Sequence, residues 1–171
     1  ELADETAQQF SELFLNGAAD QLNDVDALSL FYDFRTLTPP GAKGDEMIRN
    51  LAQRLVKVDL LDQAANLLQY QVDSRLTGVA KSQVAADLAL IRISNRDPQG
   101  ALHALTQSDL ANLPPDLDRE RRILQARALI DADRGDMALD LLSRVTGHDA
   151  DQLRVDAYWK AKNYAASSNA I

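Results

Sequence analysis

Two helices and the bend between them are written into residues 85–105, Ala85-Ala86-Asp87-Leu88-Ala89-Leu90-Ile91-Arg92-Ile93-Ser94-Asn95-Arg96-Asp97-Pro98-Gln99-Gly100-Ala101-Leu102-His103-Ala104-Leu105. Small and apolar residues at 85, 88, 89 and 93 return every three or four positions, the spacing of one helix face. Asn95-Arg96-Asp97-Pro98 then interrupts the pattern. Asp97 suits an N-cap, and Pro98 suits a first helical turn, where its missing N–H costs nothing. Ala101 and Leu105 resume the helical spacing. Helices are therefore predicted near 80–94 and 98–107.

The composition extends this reading to the whole chain. Of 171 residues, 27 are Leu and 26 are Ala, both good helix formers that lose little side-chain entropy in a helix. No stretch alternates apolar and polar residues long enough to read as a strand. An all-α fold is expected, with so much Ala implying closely packed helices. The chain has no Cys and a net charge of −8, which excludes a disulfide framework, a thiol nucleophile and Cys-ligated metal. The charge also argues against a general nucleic-acid binder. It is uneven, being −6 over residues 1–44, −3 over 45–118 and +1 over 119–171. No apolar run approaches the roughly 20 residues that span a bilayer, and no signal-peptide pattern is visible. The expected state is soluble, in the cytoplasm ahead of the periplasm, with the compartment itself left open.

An internal repeat organises the helices. Ala64, Ala101 and Ala138 lie 37 residues apart, and so do Ala52, Ala89 and Ala126, then Val56, Ile93 and Ile130, then Leu68, Leu105 and Leu142. Four small or apolar triplets in one register are hard to attribute to composition. The first copy pairs helices 45–58 and 61–76 across Asp59, and the third pairs 117–132 and 136–146 across Asp133-Arg134-Gly135. Pro39-Pro40-Gly41 and Leu113-Pro114-Pro115-Asp116 break the chain between copies. Residues 1–44 read as a variant, capping hairpin with helices 3–16 and 24–36. Ala27 and Phe31 carry the register backwards there, and all four Phe (Phe10, Phe14, Phe31, Phe34) suit the closing of one end of a stack. Leu153, Ala157, Tyr158 and Tyr164 open a partial fourth copy after a shorter connection. Glu1 stands where an initiator Met would, and the helical pattern runs on toward Ile171, so the expectation is a segment cut from a larger protein.

Hairpins with small residues at fixed places resemble the tetratricopeptide repeat. From Asp45, Ile48, Leu51, Ala52, Leu55, Ala64 and Leu68 fall on that family's positions 4, 7, 8, 11, 20 and 24. The next copies place Ala85, Leu88, Ala89, Arg92, Ala101 and Leu105, then Arg122, Gln125, Ala126, Leu129, Ala138 and Leu142, on the same positions. The match is divergent. The period exceeds the family's about 34 residues, aliphatics replace its aromatics, and Arg92, Arg122 and Gln125 occupy apolar places. The resemblance implies a right-handed superhelical stack of antiparallel hairpins, about eight or nine helices in all. Its repeats would span about 45–80, 81–116, 117–147 and, in part, 148–171, within a larger protein of bacterial type.

Candidate chemistry is sparse. His103 and His148 lack the i, i+4 partner of a helical zinc site. Asp131-Ala132-Asp133-Arg134-Gly135-Asp136 misplaces the Gly and lacks the terminal Glu of a calcium loop. It reads instead as two acids ending a helix, Gly135 turning the chain and Asp136 capping the next. No Gly-x-Ser-x-Gly elbow or Gly-rich phosphate loop occurs, so no catalytic residue, cofactor or metal is expected. Arg119-Glu120-Arg121-Arg122 with Arg127 reads as a solvated helix face, with acidic peptide or nucleic acid as the rival reading.

The resemblance points instead to a concave groove formed by the first helix of each hairpin. It implies a partner-binding set of Arg49, Gln53, Val56, Lys57, Ala86, Leu90, Ile93, Ile123, Arg127 and Ile130. Burial of a partner's apolar side chains would run along Leu90, Ile93, Ile123 and Ile130, with Arg49 and Arg127 selecting acidic groups. The expected function is a non-catalytic interaction module that takes a peptide or helix from another protein. The alternative is a structural spacer or a segment that self-associates through its open end at Tyr158, Trp159 and Tyr164.

Overall fold

The computed structural model describes residues 23–33, 38, 39 and 41–169, with Glu5, Gln8 and Gln9. Among these the chain is all-α, in eight helices without a strand. They are α1 (Asp24–Asp33), α2 (Ala42–Lys57), α3 (Leu61–Ser74), α4 (Gly78–Ser94), α5 (Pro98–Gln107), α6 (Pro115–Asp131), α7 (Gly135–Leu142) and α8 (His148–Asn169). Expected and observed bounds agree to within a few residues, the largest shifts being at the start of α2 and the end of α7. Of the expected helix 3–16 only Glu5, Gln8 and Gln9 are described, and they are helical, whereas Phe10, Phe14 and Phe34 lie outside the described residues.

The 37-residue register is present in the backbone as well as in the side chains. Asp59, Arg96 and Asp133 are the non-glycine residues of positive φ among those described, at 63°, 59° and 61°, and 37 residues separate each from the next. Each ends a first helix in the same way. The N–H of the following residue, Leu60, Asp97 or Arg134, donates to the carbonyl of Leu55, Arg92 or Leu129 at 2.8 Å in every case. The positive-φ residue itself donates to Val56, Ile93 or Ile130 at 3.0–3.1 Å. These are the two bonds of a Schellman end, which satisfies carbonyls that the helix cannot. Gly135 does not turn the chain and Asp136 does not cap α7, contrary to expectation. Asp133 makes the turn, and α7 already begins at Gly135. The Asp97 cap and Pro98 first turn are as expected, with the Asp97 carboxylate accepting from Gly100 N at 2.9 Å.

Behind each turn the repeated side chains fill the core. Ala27, Ala64, Ala101 and Ala138 are fully buried, as are Phe31, Leu68, Leu105 and Leu142 to within a few per cent. Ala52, Ala89 and Ala126 behave alike. The fourth triplet divides, because Ile93 and Ile130 are buried whereas Val56 is 39% exposed.

The chain forms two compact units, residues 1–76 and 77–171. In the first, α1 packs on α2 and α2 on α3, around Met47, Ile48, Leu51, Leu55 and Leu67. The segment before α2 lies hard against it at Gly44, where a Cβ would stand 1.9 Å from the Pro39 carbonyl oxygen. Arg75 secures this approach by donating to Pro39 O at 2.8 Å and to the Asp45 carboxylate at 3.0 Å.

In the second unit α4 packs on α5 and α6, and α6 packs on α7 and α8. Helix α6 is therefore apolar on two faces. Leu117, Leu124 and Ala128 join a core with Ala89, Ile93, Ala101 and Leu105. Ala126, Leu129 and Ile130 join another with Ala138, Leu142, Leu153 and Ala157. Arg121 lies on the first of these faces and is only 5% exposed. Its guanidinium donates to Ser82 O (2.7 Å), Leu105 O (2.7 Å) and Ser108 Oγ (3.0 Å). Ser82 Oγ in turn donates to Ser108 O at 2.5 Å. Burial lowers the Arg121 pKa, while Asp109 and Asp118 oppose the shift. The expectation that the Arg119–Arg122 run is a solvated face fails at this residue.

Two substitutions test these features. Arg96→Gly relieves an L-residue held at positive φ, and the protein is expected to gain about 0.5–1 kcal/mol in urea denaturation. Arg121→Met removes three buried, charge-assisted hydrogen bonds, to Ser82 O, Leu105 O and Ser108 Oγ, and the expected loss is about 2 kcal/mol or more. Ser82→Ala is expected to cost less, about 1 kcal/mol, by the same measurement.

Candidate functional site

Several basic side chains of the second unit reach helix ends. Besides Arg121 at the end of α5, Arg154 from α8 donates to Leu142 O and Val145 O at the end of α7. Lys160 from α8 donates to Ile130 O of α6 at 2.7 Å and pairs with Asp133 at 3.1 Å. Carbonyls at a helix C-terminus carry partial negative charge, so a cation there both satisfies an acceptor and complements the dipole. Arg119 joins α6 to the start of α8, donating to Thr146 O at 2.7 Å and gripping both oxygens of Asp149. That grip raises the Arg119 pKa and lowers that of Asp149 to about 2, the hydrogen bond between them being the chief cause of each shift. Arg122 pairs with Asp118 along its own helix at 3.0 Å.

Arg127, like Lys81, Arg96, Arg134, Arg144 and Lys162, makes no such contact among the described residues. It is exposed, and no ion pair engages it among the described residues. It borders a cleft of about 400 Å³ between α6 and α8, lined by Arg127, Ile130, Asp131, Leu153, Asp156, Trp159, Lys160 and Asn163. Ile130 and Leu153 form its apolar floor, both belonging to the buried core beneath. Trp159, the single Trp of the chain, is 64% exposed beside it. The opening is thus flanked by cations (Arg127, Lys160), carboxylates (Asp131, Asp156) and one large indole. A second cleft of about 530 Å³ shares Ile130 and Lys160 and adds Met137, Ala157 and Ala161.

Arg127 and Ile130 of the expected groove set meet in this cleft. Ile123 is half-buried on the same helix, whereas Leu90 on α4 is 43% exposed. Ala86 and Ile93 lie within the core and offer no open surface. Arg49, Gln53, Val56 and Lys57 are exposed on α2 of the first unit. The α8 contribution from Asp156, Lys160 and Asn163 was not in the expected set, and Trp159 was assigned to an open end instead. The shorter connection before α8 is legible in the sequence, but the groove positions were not carried across it. Ala150, Arg154 and Ala157 lie 33 residues after Leu117, Arg121 and Leu124, and they do the same work in burial and capping.

His103 and His148 are both exposed, and no group of three or more metal-ligating side chains comes together among the described residues. None of the helices there is long and apolar enough to cross a membrane. No protein-family model, no curated protein and no solved structure matches this chain.

The Arg119–Asp149 contact gives a pH test. The Asp149 carboxyl sits below its ordinary 3.8 in the folded protein. Its contribution to stability is therefore full above that value and is lost as pH falls through about 2. A carboxyl-detected NMR titration is expected to place Asp149 near 2, and Arg119→Ala is expected to return it toward 3.8.

Proposed function

We propose that this chain is a non-catalytic protein-interaction module whose second unit takes a peptide or helix of a partner into the cleft between α6 and α8. We read its hairpins as members of a right-handed stack resembling a tetratricopeptide solenoid. Support for the stack comes from the recurring Schellman ends and from the packing of α4 on α6 and α6 on α8. In such a series the first helices of successive hairpins run side by side and their exposed face receives the ligand.

The observation that carries the reading is the cleft itself. It offers an apolar floor at Ile130 and Leu153, an exposed indole at Trp159 and an uncommitted cation at Arg127. An aromatic anchor beside an apolar floor supplies contact area at low entropic cost. Arg127 favours an acidic group on the ligand, and Asp131 and Asp156 favour a basic one further along. The fitting ligand is therefore an amphipathic segment with an apolar anchor flanked by charges of both signs.

The single Trp makes the test direct. Peptides selected from a random display library against the whole chain are expected to shift Trp159 emission to the blue on binding. Arg127→Glu is expected to weaken the acidic members of that set at least tenfold. Peptides that bind with no change in Trp159 emission, and equally well to Arg127→Glu, would remove the cleft from consideration.

A further inference from the structure

The cleft beside the start of α7 lies where two register places hold small residues. Ala157 comes 33 residues after Leu124, and Gly135 comes 37 after Pro98. Leu124 is buried, and its isobutyl group joins the core of Ile93 and Ala101. Ala157 takes the corresponding place on α8, in the core with Ile130 and Ala138, but brings only a methyl group. Around it a cleft of about 530 Å³ stands open, walled by Ala157 and Ala161 of α8 and by Gly135 and Met137 of α7.

Neither backbone nor crowding calls for glycine at 135. Its φ is not positive, and an added Cβ would make only ordinary contacts, 3.7 Å from Ala157 O and 3.9 Å from Ala157 Cβ. The effect of glycine here is an open floor against Ala157. Met137, 56% exposed, gives the opposite wall a flexible thioether that adapts to an apolar guest. The mouth has the polarity of a peptide unit. Arg134 and Asp136 both border the cleft and are exposed, and no ion pair engages either among the described residues. Together they offer a donor for a carbonyl and an acceptor for an N–H. Asp133 is already taken by Lys160 at 3.1 Å. Ile130 and Lys160 border this cleft and the one beside Trp159 alike, so the two adjoin.

We infer that this second cleft is a side-chain subsite, which takes one leucine-sized aliphatic side chain of the bound segment while Arg134 and Asp136 hold the adjoining main-chain amide. The inference rests on the reading of the α6–α8 cleft as a peptide site, and it gives the ligand a second anchor besides the one at Trp159. Leu124, in the equivalent place on α6, sets the size of the guest. A ligand alanine would forfeit three buried carbons, each worth about fourfold in affinity.

The chain has two methionines, Met47 and Met137, so methyl NMR reads the subsite with a control built in. In the whole chain labelled at the methionine methyl carbons, N-acetyl-leucinamide is expected to move the Met137 signal saturably in the millimolar range. Met47, buried in the first unit, is expected to stay in place. N-acetyl-alaninamide is expected to need at least tenfold higher concentration. Gly135→Val stands a side chain in the cleft and is expected to abolish the Met137 response, with helix content by circular dichroism unchanged. Ala157→Leu, which restores the residue of α6, is expected to do the same. A Met137 signal that moves no more than that of Met47, that answers equally to N-acetyl-alaninamide, or that responds alike in Gly135→Val would overturn the inference. Selected peptides that shift Trp159 emission without moving Met137 would also overturn it, while leaving the α6–α8 cleft as the binding site. A Met137 response to N-acetyl-leucinamide with no peptide bound at Trp159 would uphold the aliphatic subsite and remove the peptide reading instead.

Discussion

Asp59, Arg96 and Asp133 hold the backbone in a region that favours glycine, and the hairpins depend on it. A helix that ended without a left-handed residue would leave its last carbonyls open and send the chain off at another angle. With it, the next helix starts two residues later and returns along the first. The buried alanines follow from that return, because only a methyl group fills the space where the two helices run back to back. Turn geometry and side-chain size are therefore two expressions of one 37-residue constraint.

Charge takes a structural part that composition conceals. The chain is acidic overall, yet the basic residues of its last third sit where helix dipoles point. Arg121, Arg154 and Lys160 each reach from a later helix to the end of an earlier one. These bonds join one hairpin to the next. Arg127 takes no part in these contacts.

The all-α fold, the hairpin pairs and the small-residue register were legible because packing leaves a periodic trace in residue size. The turn residues were harder to read, since two Asp and one Arg stand where a glycine would have announced a left-handed turn. Arg121 was misread because a charged residue in a charged run signals solvent. Nothing in the sequence discloses the carbonyls of Ser82 and Leu105 that receive it in the fold. Half of the cleft was missed for a simpler reason. The expected groove set stops at the third copy, so it does not reach Asp156, Lys160 and Asn163 on α8.

The Arg121 bonds bear on how the second unit comes apart. Hairpins in series need not unfold together, since each touches only its neighbours and may fray from an end. Here the donor belongs to α6 while its acceptors belong to α4 and α5. Peeling α6 away therefore exposes two carbonyls and a serine as well as apolar surface, and it breaks all the guanidinium bonds at once. That concentrates coupling at one joint. Opening at α6 is expected to carry α4 and α5 with it, and these three helices should exchange their amide hydrogens as one cooperative block. Helix α8 stands outside the Arg121 network and is held instead by Arg154, Lys160, the Arg119–Asp149 pair and three small or apolar side chains.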